Sequence, residues 1–447
     1  MRTLLGTVAA VVLAGGMTMA AAWQAGDEPV TVSSEHPRLL LRPGRLRLLK
    51  RERERASQRW QQFEALIAGR APMPERGFAL ALYYAVAGAA PEGRQAVAWA
   101  LGRESDLRQQ ALVYDWCQEL LGESQRKELE ARLEKGITAP PADDSVATTR
   151  SRALAAVALF DHSPTAPRRE LERIVRTWWE GKLAPALREG RGVIQRDDAY
   201  PLYELLHAMR DNTNIDLRES CPGFFRQFPI EHLMSYYPAF YEGPDSEYYI
   251  GATQRVGEPD LRAAALSRAA DLAMVAFDTN AAPSQVLQGW LMHDRFMLRG
   301  TFGAPYEFLW ANPYQPGLSY YHVPLVYYNA EFGTLFVRST WEPTARWFGL
   351  FGGTMQLFEE GHVAPVDPRR AADPIVLKEA IVCVARTAKR FRVRLEENEP
   401  VYVVGLEPRK PYQVEIDDEE LYEAVADLGG IIELEVPRGK EVGIRLQ

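Results

Sequence analysis

The amino-acid sequence predicts an α+β multidomain protein, in which an incomplete (α/α) toroid of helical hairpins is followed by a small antiparallel β-sandwich-like domain. Up to residue 298, apolar residues recur with the period of amphipathic helices, and Gly or Pro separates most of the segments. After Val323 the chain changes to short runs of Val, Ile, Phe and Tyr between turn residues, which is typical of antiparallel strands. This change of period, from about 3.6 residues to 2, defines the fold class.

The elements follow in order along the chain. A first helix begins at Pro43, and further helices are predicted at residues 77–90, 105–121, 123–135, 146–160, 168–188, 200–210, 224–236, 259–277 and 284–298. Strands are predicted at residues 334–338, 347–351, 375–385, 391–395, 401–406, 412–416, 431–436 and 442–446. We therefore divide the chain into a signal peptide at 1–22, a toroid domain at 36–320 and a C-terminal β domain at 321–447.

The first residues have the pattern of a cleavable leader. Arg2 precedes an apolar run of small residues from position 4 to 20, and Ala20 to Ala22 fit a small-residue cleavage site. We expect a secreted or periplasmic protein, cleaved near Ala22, with no integral membrane span in the mature chain. An uncleaved N-terminal anchor is the alternative interpretation.

The overall composition excludes some function classes. The formal net charge of −8 argues against a nucleic-acid partner, because phosphate binding needs a basic face. The three cysteines, Cys117, Cys221 and Cys383, allow at most one intramolecular disulfide, and the sequence leaves open whether any two of them pair.

One segment combines aromatic and titratable residues more densely than the rest. Seven of the nineteen tyrosines lie between Tyr200 and Tyr249, together with His207 and His232. Aromatic faces beside polar groups are suited to a groove that binds a partly apolar, hydroxyl-rich ligand. We therefore expect the functional site in this segment.

Four motifs, in order, resemble those of heparinase II/III-like and alginate-lyase-like proteins. They are His36-Pro-Arg-Leu-Leu-Leu-Arg-Pro, Tyr114-Asp-Trp, Glu242-Gly-Pro-Asp-Ser-Glu-Tyr-Tyr-Ile-Gly and Phe332-Gly-Thr-Leu-Phe-Val-Arg-Ser-Thr-Trp. The resemblance implies an α/α toroid, an acidic polysaccharide as the partner, cleavage by β-elimination, and a catalytic tyrosine in the third motif, at Tyr248.

The chain departs from that family's pattern in its β domain. The family usually carries a His-x-His pair there, whereas this chain has only the isolated His322 and His362. A zinc site needs three or four convergent ligands, so we predict no metal and no other cofactor.

The candidate catalytic residues are Tyr248, His207 and Arg210. Tyr248 would act as base and then acid, Arg210 would lower its pKa, and His207 would serve as a general base or neutralise charge. We expect all three to converge on one groove, with the Tyr248 hydroxyl exposed to it. The candidate substrate-binding residues are Tyr203, Glu204, Asn212, Asn214, Tyr249, Trp290 and His293.

Each candidate also has a structural interpretation. The polar face of helix 200–210 could be an ion-paired surface, Tyr248 and Tyr249 could be aromatic core, and His293 could be structural. Three functions stay open at this point: a secreted polysaccharide lyase, a non-catalytic glycan-binding or envelope scaffold, and a toroidal glycoside hydrolase.

Overall fold

The computed structural model describes residues 29–191, 194–293, 297–370, 373–385, 390–395, 399–417, 420–436, 439 and 441–447. The predicted signal peptide lies outside these described residues.

The first part of the described chain is helical. Its helices are α1 Pro43–Glu54, α2 Gln58–Ala68, α3 Arg76–Ala87, α4 Ala90–Ala100, α5 Leu107–Trp116, α6 Glu123–Thr138, α7 Val146–Leu159, α8 Thr165–Glu172, α9 Ala184–Arg188, α10 Arg196–Thr213, α11 Pro222–Met234, α12 Leu261–Phe277, α13 Ala282–His293 and α14 Gly300–Trp310. A π-helical segment, Arg173–Leu183, joins α8 to α9 without a break. Neither α4 nor α14 was predicted from the sequence, and the single long helix expected from Pro43 is divided into α1 and α2.

Six of these helices form an inner ring. α3, α5, α7, α10, α12 and α14 are successive neighbours, and α14 contacts α2 and α3, which closes the circle. At the closure the rings of Phe78 on α3 and Tyr306 on α14 lie 5.1 Å apart. The predicted body of helical hairpins is therefore confirmed.

The last part of the described chain is built of strands. They are β3 Val326–Asn329, β4 Thr334–Arg338, β5 Trp347–Phe351, β6 Thr354–Glu359, β7 His362–Pro365, β8 Ile375–Leu377, β9 Ala380–Val384, β10 Arg390–Arg394, β11 Val401–Val404, β12 Pro411–Ile416, β13 Glu420–Val425, β14 Ile432–Leu434 and β15 Glu441–Leu446; a hairpin of β1 Tyr236–Glu242 and β2 Glu247–Gly251 precedes them. The strands after α14 form three sheets, in the orders β3-β4-β5-β6-β7, β14-β11-β9-β8 and β10-β15-β12-β13. The predicted boundary near residue 320 falls between α14 and β3.

Two features differ from the sequence prediction. β9 and β11 pair in parallel, whereas we expected an antiparallel domain. The reason is that β10 belongs to another sheet. The chain therefore leaves this sheet after β9 and returns to it as β11, which lies beside β9 and runs in the same direction. In addition, the hairpin of β1 and β2 interrupts the helical part, which we expected to contain no strand.

The helical part shares an apolar interface with the five-stranded sheet β3-β4-β5-β6-β7, which we call the first sheet. Its buried members are Met234, Tyr237, Ala252, Tyr327, Phe336, Trp347 and Phe358. The Trp347 indole donates a hydrogen bond to the Met234 carbonyl at 2.9 Å, and the Tyr237 hydroxyl donates to Gln356 Oε1 at 2.7 Å. Burying aromatic side chains of this size contributes about 1.5–3 kcal/mol each, so the sheet is held firmly beside α11 and the hairpin.

An N-terminal strap, residues 29–42, crosses the helical part. Its backbone amides of Arg38 and Leu39 both donate to Asp115 Oδ2 at 2.9 Å, and the Trp116 indole donates to the Leu39 carbonyl at 2.8 Å. His36 bonds Asp115 Oδ1 at 2.5 Å through Nδ1. The first two motifs of the resemblance thus bind each other and hold the strap on α5.

Two further findings concern compartment and redox state. No helix in the described part of the chain is long and apolar enough to cross a membrane. All three cysteines are free, buried thiols. Burial raises the pKa of Cys117 to about 12, so this thiol is inert at neutral pH.

Candidate functional site

A cleft of about 960 Å³ lies between the helical part and the first sheet. The starts of α10 and α12, the cleft-facing side of α11 and the hairpin form one side, and strands β4 to β7 form the other. Its charged and polar lining residues, tyrosines aside, are Gln195, Arg196, Asp197, Glu231, His232, Ser235, Thr253, Gln254, Arg255, Glu258, Asp260, Ser267, Thr334 and His362. A ligand-sized cleft at a junction of two parts is the default candidate for a functional site.

A histidine–aspartate pair lies at the wall of the cleft. His232 on α11 contacts Asp271 on α12, with Nδ1 and Oδ1 2.5 Å apart. The Tyr236 hydroxyl donates to the other oxygen of Asp271 at 2.6 Å. Burial lowers the pKa of His232, so the neutral ring donates its Nδ1–H to Asp271. Nε2 then keeps its lone pair, and it has no hydrogen-bond partner among the described residues.

Arg196, the first residue of α10, brings positive charge to the cleft. Its guanidinium donates to the His232 carbonyl at 2.6 Å, to Ser235 Oγ at 2.5 Å and to Ser267 Oγ. All of these partners are neutral, and within the described chain no carboxylate oxygen lies within 4.0 Å of it. Gly251 makes room for the guanidinium, because a Cβ there would lie 2.1 Å from Arg196 Nε.

Glu231 is the carboxyl group next to the histidine. It lines the cleft on α11, and its Oε2 accepts a hydrogen bond from the Tyr327 hydroxyl of β3 at 3.0 Å. Burial raises the pKa of Glu231 to about 7, against the opposing effects of this hydrogen bond and of the Arg196 charge. The group therefore exists in both protonation states near neutral pH, as a general acid requires.

Aromatic side chains surround these groups. Those lining the cleft are Phe224, Phe228, Tyr237, Phe240, Tyr241, Phe332, Phe336, Phe351 and Phe358. Among these, Phe240 and Tyr241 are 37% and 39% exposed. Within the part of the chain that the structure describes, no three His, Cys, Asp or Glu side chains converge as metal ligands would.

The predicted residue His207 lies far from this cleft. Its ring is buried between Phe277 and Trp310, with ring centroids 4.9 and 4.6 Å away. Nε2 donates to the Ala273 carbonyl at 3.0 Å, and burial lowers the pKa of the ring. His207 follows Arg196 by eleven residues of α10, which is roughly 16 Å along the helix axis.

The other candidates on α10 also contact protein groups. Arg210 donates to the Phe277 carbonyl at 2.6 Å and covers the Phe277 ring at 3.6 Å. Tyr203 is buried and stacks on Phe228. Asn212 is buried and donates to the Ala208 carbonyl at 2.8 Å, and Asn214 is the exposed residue that ends α10, with φ of 59°.

Glu204 belongs to a buried network at the centre of the ring. Arg108 donates to both of its oxygens, at 2.8 Å from Nε and 2.6 Å from NH2. Tyr200 donates to Oε1 at 2.7 Å, and Arg150 also contacts the carboxylate. Although burial raises the pKa of Glu204, the two guanidinium groups outweigh it and hold the pKa at about 2. We call Glu75, Arg108, Arg150, Tyr200, Glu204 and Tyr306 the ring-centre network.

The structure brings Tyr248, Tyr249 and Trp290 together. They line a cavity of only about 10 Å³, which is about the size that one water needs. The Trp290 ring stacks on Tyr236 at 4.9 Å and contacts Tyr249 at 4.8 Å. Tyr248 is buried, with a pKa raised by burial. His293 ends α13, and its side chain is outside the described part.

The expected convergence of Tyr248, His207 and Arg210 on one groove is wrong. Tyr248 packs on Ala264 and Ala265 near the start of α12, whereas His207 bonds the carbonyl of Ala273 further along that helix. Eight or nine residues of helix separate these points by roughly 13 Å. Tyr248 as a whole is only 9% exposed. The individual binding roles stay predictions.

The sequence analysis missed most residues of the cleft wall. The one usable signal was in α12, where Ser267 and Asp271, one turn apart, interrupt an otherwise Ala- and Leu-rich helix. Polar residues at buried helical positions need partners, and such partners are often functional groups. Arg196 gave no signal, because the predicted helix began four residues later.

The sequence matches none of the known protein-family models and no curated protein. A solved structure described as a glycoside hydrolase is similar over 83% of this chain and 71% of that chain, with 10% sequence identity and a TM-score of 0.31. A likeness this low carries no argument, so the function has to be argued from the cleft.

Proposed function

We propose that this protein is a carbohydrate-active enzyme that cleaves an acidic, uronate-containing polysaccharide by β-elimination in the cleft. The observation that carries the proposal is the state of His232. One ring nitrogen is held by Asp271; the other is buried beside the cleft, which His232 lines, and has no hydrogen-bond partner among the described residues. A neutral imidazole held in this way is a competent general base.

The neighbouring groups supply the other requirements of an elimination. Arg196 has no carboxylate partner within ion-pair distance in the described chain, so it can bind the carboxylate of a uronate. That charge stabilises the anion formed when the proton α to the carboxylate leaves. Glu231, with a pKa of about 7, holds a proton for the departing sugar oxygen.

The proposed step balances as follows. His232 Nε2 takes the proton from C5 of the uronate, and the electron pair of that C–H bond forms the C4–C5 double bond. The bond from C4 to the glycosidic oxygen breaks, and this oxygen receives the proton of Glu231. The products are an unsaturated uronate end and a new hydroxyl end.

Hydrolysis is the second candidate, because a protonated Glu231 would also serve a glycoside hydrolase. Asp197, Glu258 and Asp260 line the same cleft and could activate water. The two reactions differ in product, since only elimination gives a conjugated double bond that absorbs in the ultraviolet.

The test compares uronate polymers with the same polymers after chemical reduction of their carboxyl groups. We expect ultraviolet-absorbing products from the acidic polymers alone. Arg196→Gln should lower kcat/KM by about 10²–10³-fold, the usual effect of losing one donor to a developing anion. Arg262→Gln is the matched control, because this arginine is the second residue of the neighbouring helix α12 but is 64% exposed.

Three outcomes would contradict the proposal. Release of reducing ends without ultraviolet absorbance would indicate a hydrolase. Binding without turnover of any polymer would indicate a glycan-binding scaffold. Equal cleavage of the carboxyl-reduced polymers would remove the role of Arg196. We also propose, from the predicted leader, that the protein acts outside the cytoplasm, and detection of the mature chain only in cytoplasmic fractions would contradict this.

A further inference from the structure

We propose that Tyr327, on strand β3 of the first sheet, is a positioning residue that fixes which oxygen of Glu231 carries the catalytic proton. This inference rests on the proposed function and extends it, because it gives the β part of the protein a role in the chemistry.

The geometry determines the direction of the Tyr327 hydrogen bond. The Asn329 amide nitrogen lies 3.4 Å from the Tyr327 hydroxyl, and an NH₂ group can only donate. The hydroxyl therefore accepts from Asn329 and points its own hydrogen at Glu231 Oε2, 3.0 Å away. Because Oε2 accepts this hydrogen, the proton of the neutral carboxyl group resides on Oε1.

The interface keeps this arrangement rigid. Tyr327 is 6% exposed and belongs to the apolar interface that joins the sheet to α11. Its ring stacks on Phe336 at 6.2 Å. Burial and the nearby Glu231 carboxylate raise the pKa of Tyr327, so the phenol stays a neutral donor throughout the working pH range.

Glu231 is surrounded from several elements. Tyr327 faces it from β3, Arg196 from α10, and its chain neighbour His232 links it to Asp271 of α12. The other titratable groups on the cleft wall are Asp197, Arg255, Glu258, Asp260 and His362. Among these groups, Tyr327 alone has a hydrogen bond to Glu231 within the described chain, so its removal is a specific perturbation.

The experiment compares Tyr327→Phe with Tyr328→Phe. The control residue is the next one on β3, and its hydroxyl donates to Asp427 inside the β part, at 3.1 Å, instead of to the cleft. The Tyr327 hydroxyl stabilises the Glu231 carboxylate, so its loss raises the Glu231 pKa. Because protonated Glu231 is the active form, the alkaline limb of the kcat/KM profile should move up by about one pH unit. The limb should not move in Tyr328→Phe.

A second measurement needs no substrate. Infrared titration should detect a carboxyl group that is absent in Glu231→Gln, titrates near pH 7 in the wild type and titrates higher in Tyr327→Phe. An unchanged alkaline limb in an active Tyr327→Phe enzyme would overturn the inference while the proposed function stands. An unchanged infrared titration would overturn it as well. If the titration moves but no polymer is turned over by the wild type, the proposed function fails and Tyr327 has no catalytic step to position.

Discussion

The ring-centre network and the cleft wall contain the same residue types, but these residues satisfy one another in the network and do not do so at the cleft wall. In the ring centre, Glu204 is bound by Arg108, Arg150 and Tyr200, and burial is complete. At the cleft wall, the hydrogen-bond partners of Arg196 among the described residues are neutral, and the buried Nε2 of His232 has no partner among them. Both clusters contain arginine, carboxylate and tyrosine. The difference is the reason for placing the proposed site at the cleft wall, where bonding capacity is left over, and not in the ring centre, where residues of the same types satisfy one another.

Substitutions of two buried histidines test the difference between the cleft wall and the rest of the ring most directly. His232 and His207 have the same exposure, 4% each. His232→Gln should lower kcat by about 10²–10⁴-fold, because it removes the base. His207→Gln should leave kcat unchanged, since the glutamine amide can still donate to the Ala273 carbonyl. Steady-state kinetics on both variants, with circular dichroism to confirm folding, is the measurement. A loss of turnover in His207→Gln alone would restore the role that the sequence suggested for it.

Glu204→Gln tests the other cluster. Removing one partner of a buried ion pair leaves uncompensated charge, so the free energy of unfolding should fall by about 3–5 kcal/mol. Because the pKa of Glu204 is held at about 2, its contribution is complete above about pH 4.5 and is lost as pH falls towards 2. Urea unfolding at pH 7 and pH 3 should therefore show a smaller pH effect in the variant. A variant of wild-type stability with lost turnover would place Glu204 in the site instead.

The smallest expected effect lies in the N-terminal strap. Burial lowers the pKa of His36, but the Asp115 and Asp161 carboxylates outweigh it, so the folded-state pKa is raised above 6.5. The contribution to stability is complete below about pH 6.5 and is lost as pH rises through the higher folded-state value. The free energy of unfolding of the wild type, measured by thermal melts, should fall by about 1 kcal/mol across this range. In His36→Gln the free energy of unfolding should not change with pH in this range. An equal dependence on pH in both proteins would exclude His36 as the titrating group.

Much of the fold followed from periodicity in the sequence. The sequence predicted the change from helices to strands along the chain. It also predicted individual strands such as β4 and β5, because local apolar spacing determines them. The strand hairpin within the helical part was not predicted, since the segment from Tyr236 to Glu242 continues the aromatic pattern of the preceding helix. The parallel pairing of β9 and β11 depends on where β10 goes, which no local pattern records.

The site was only partly predictable. The tyrosine-rich segment does contain His232, Tyr236 and the exposed cleft residues Phe240 and Tyr241. Helical spacing indicated correctly that His207 shares a face with Arg210, but it could not show that this face packs against α12 and α14. Asp271 and Tyr327 come from distant segments, and only the folded chain brings them to the cleft.

The N-terminal strap comes early in the chain but can dock only late in assembly. Its partners lie 76 to 179 residues further along, so the strap must wait for α5 and then for the end of α10. Closing loops of this length costs chain entropy before any contact forms, which places strap docking among the last steps of folding.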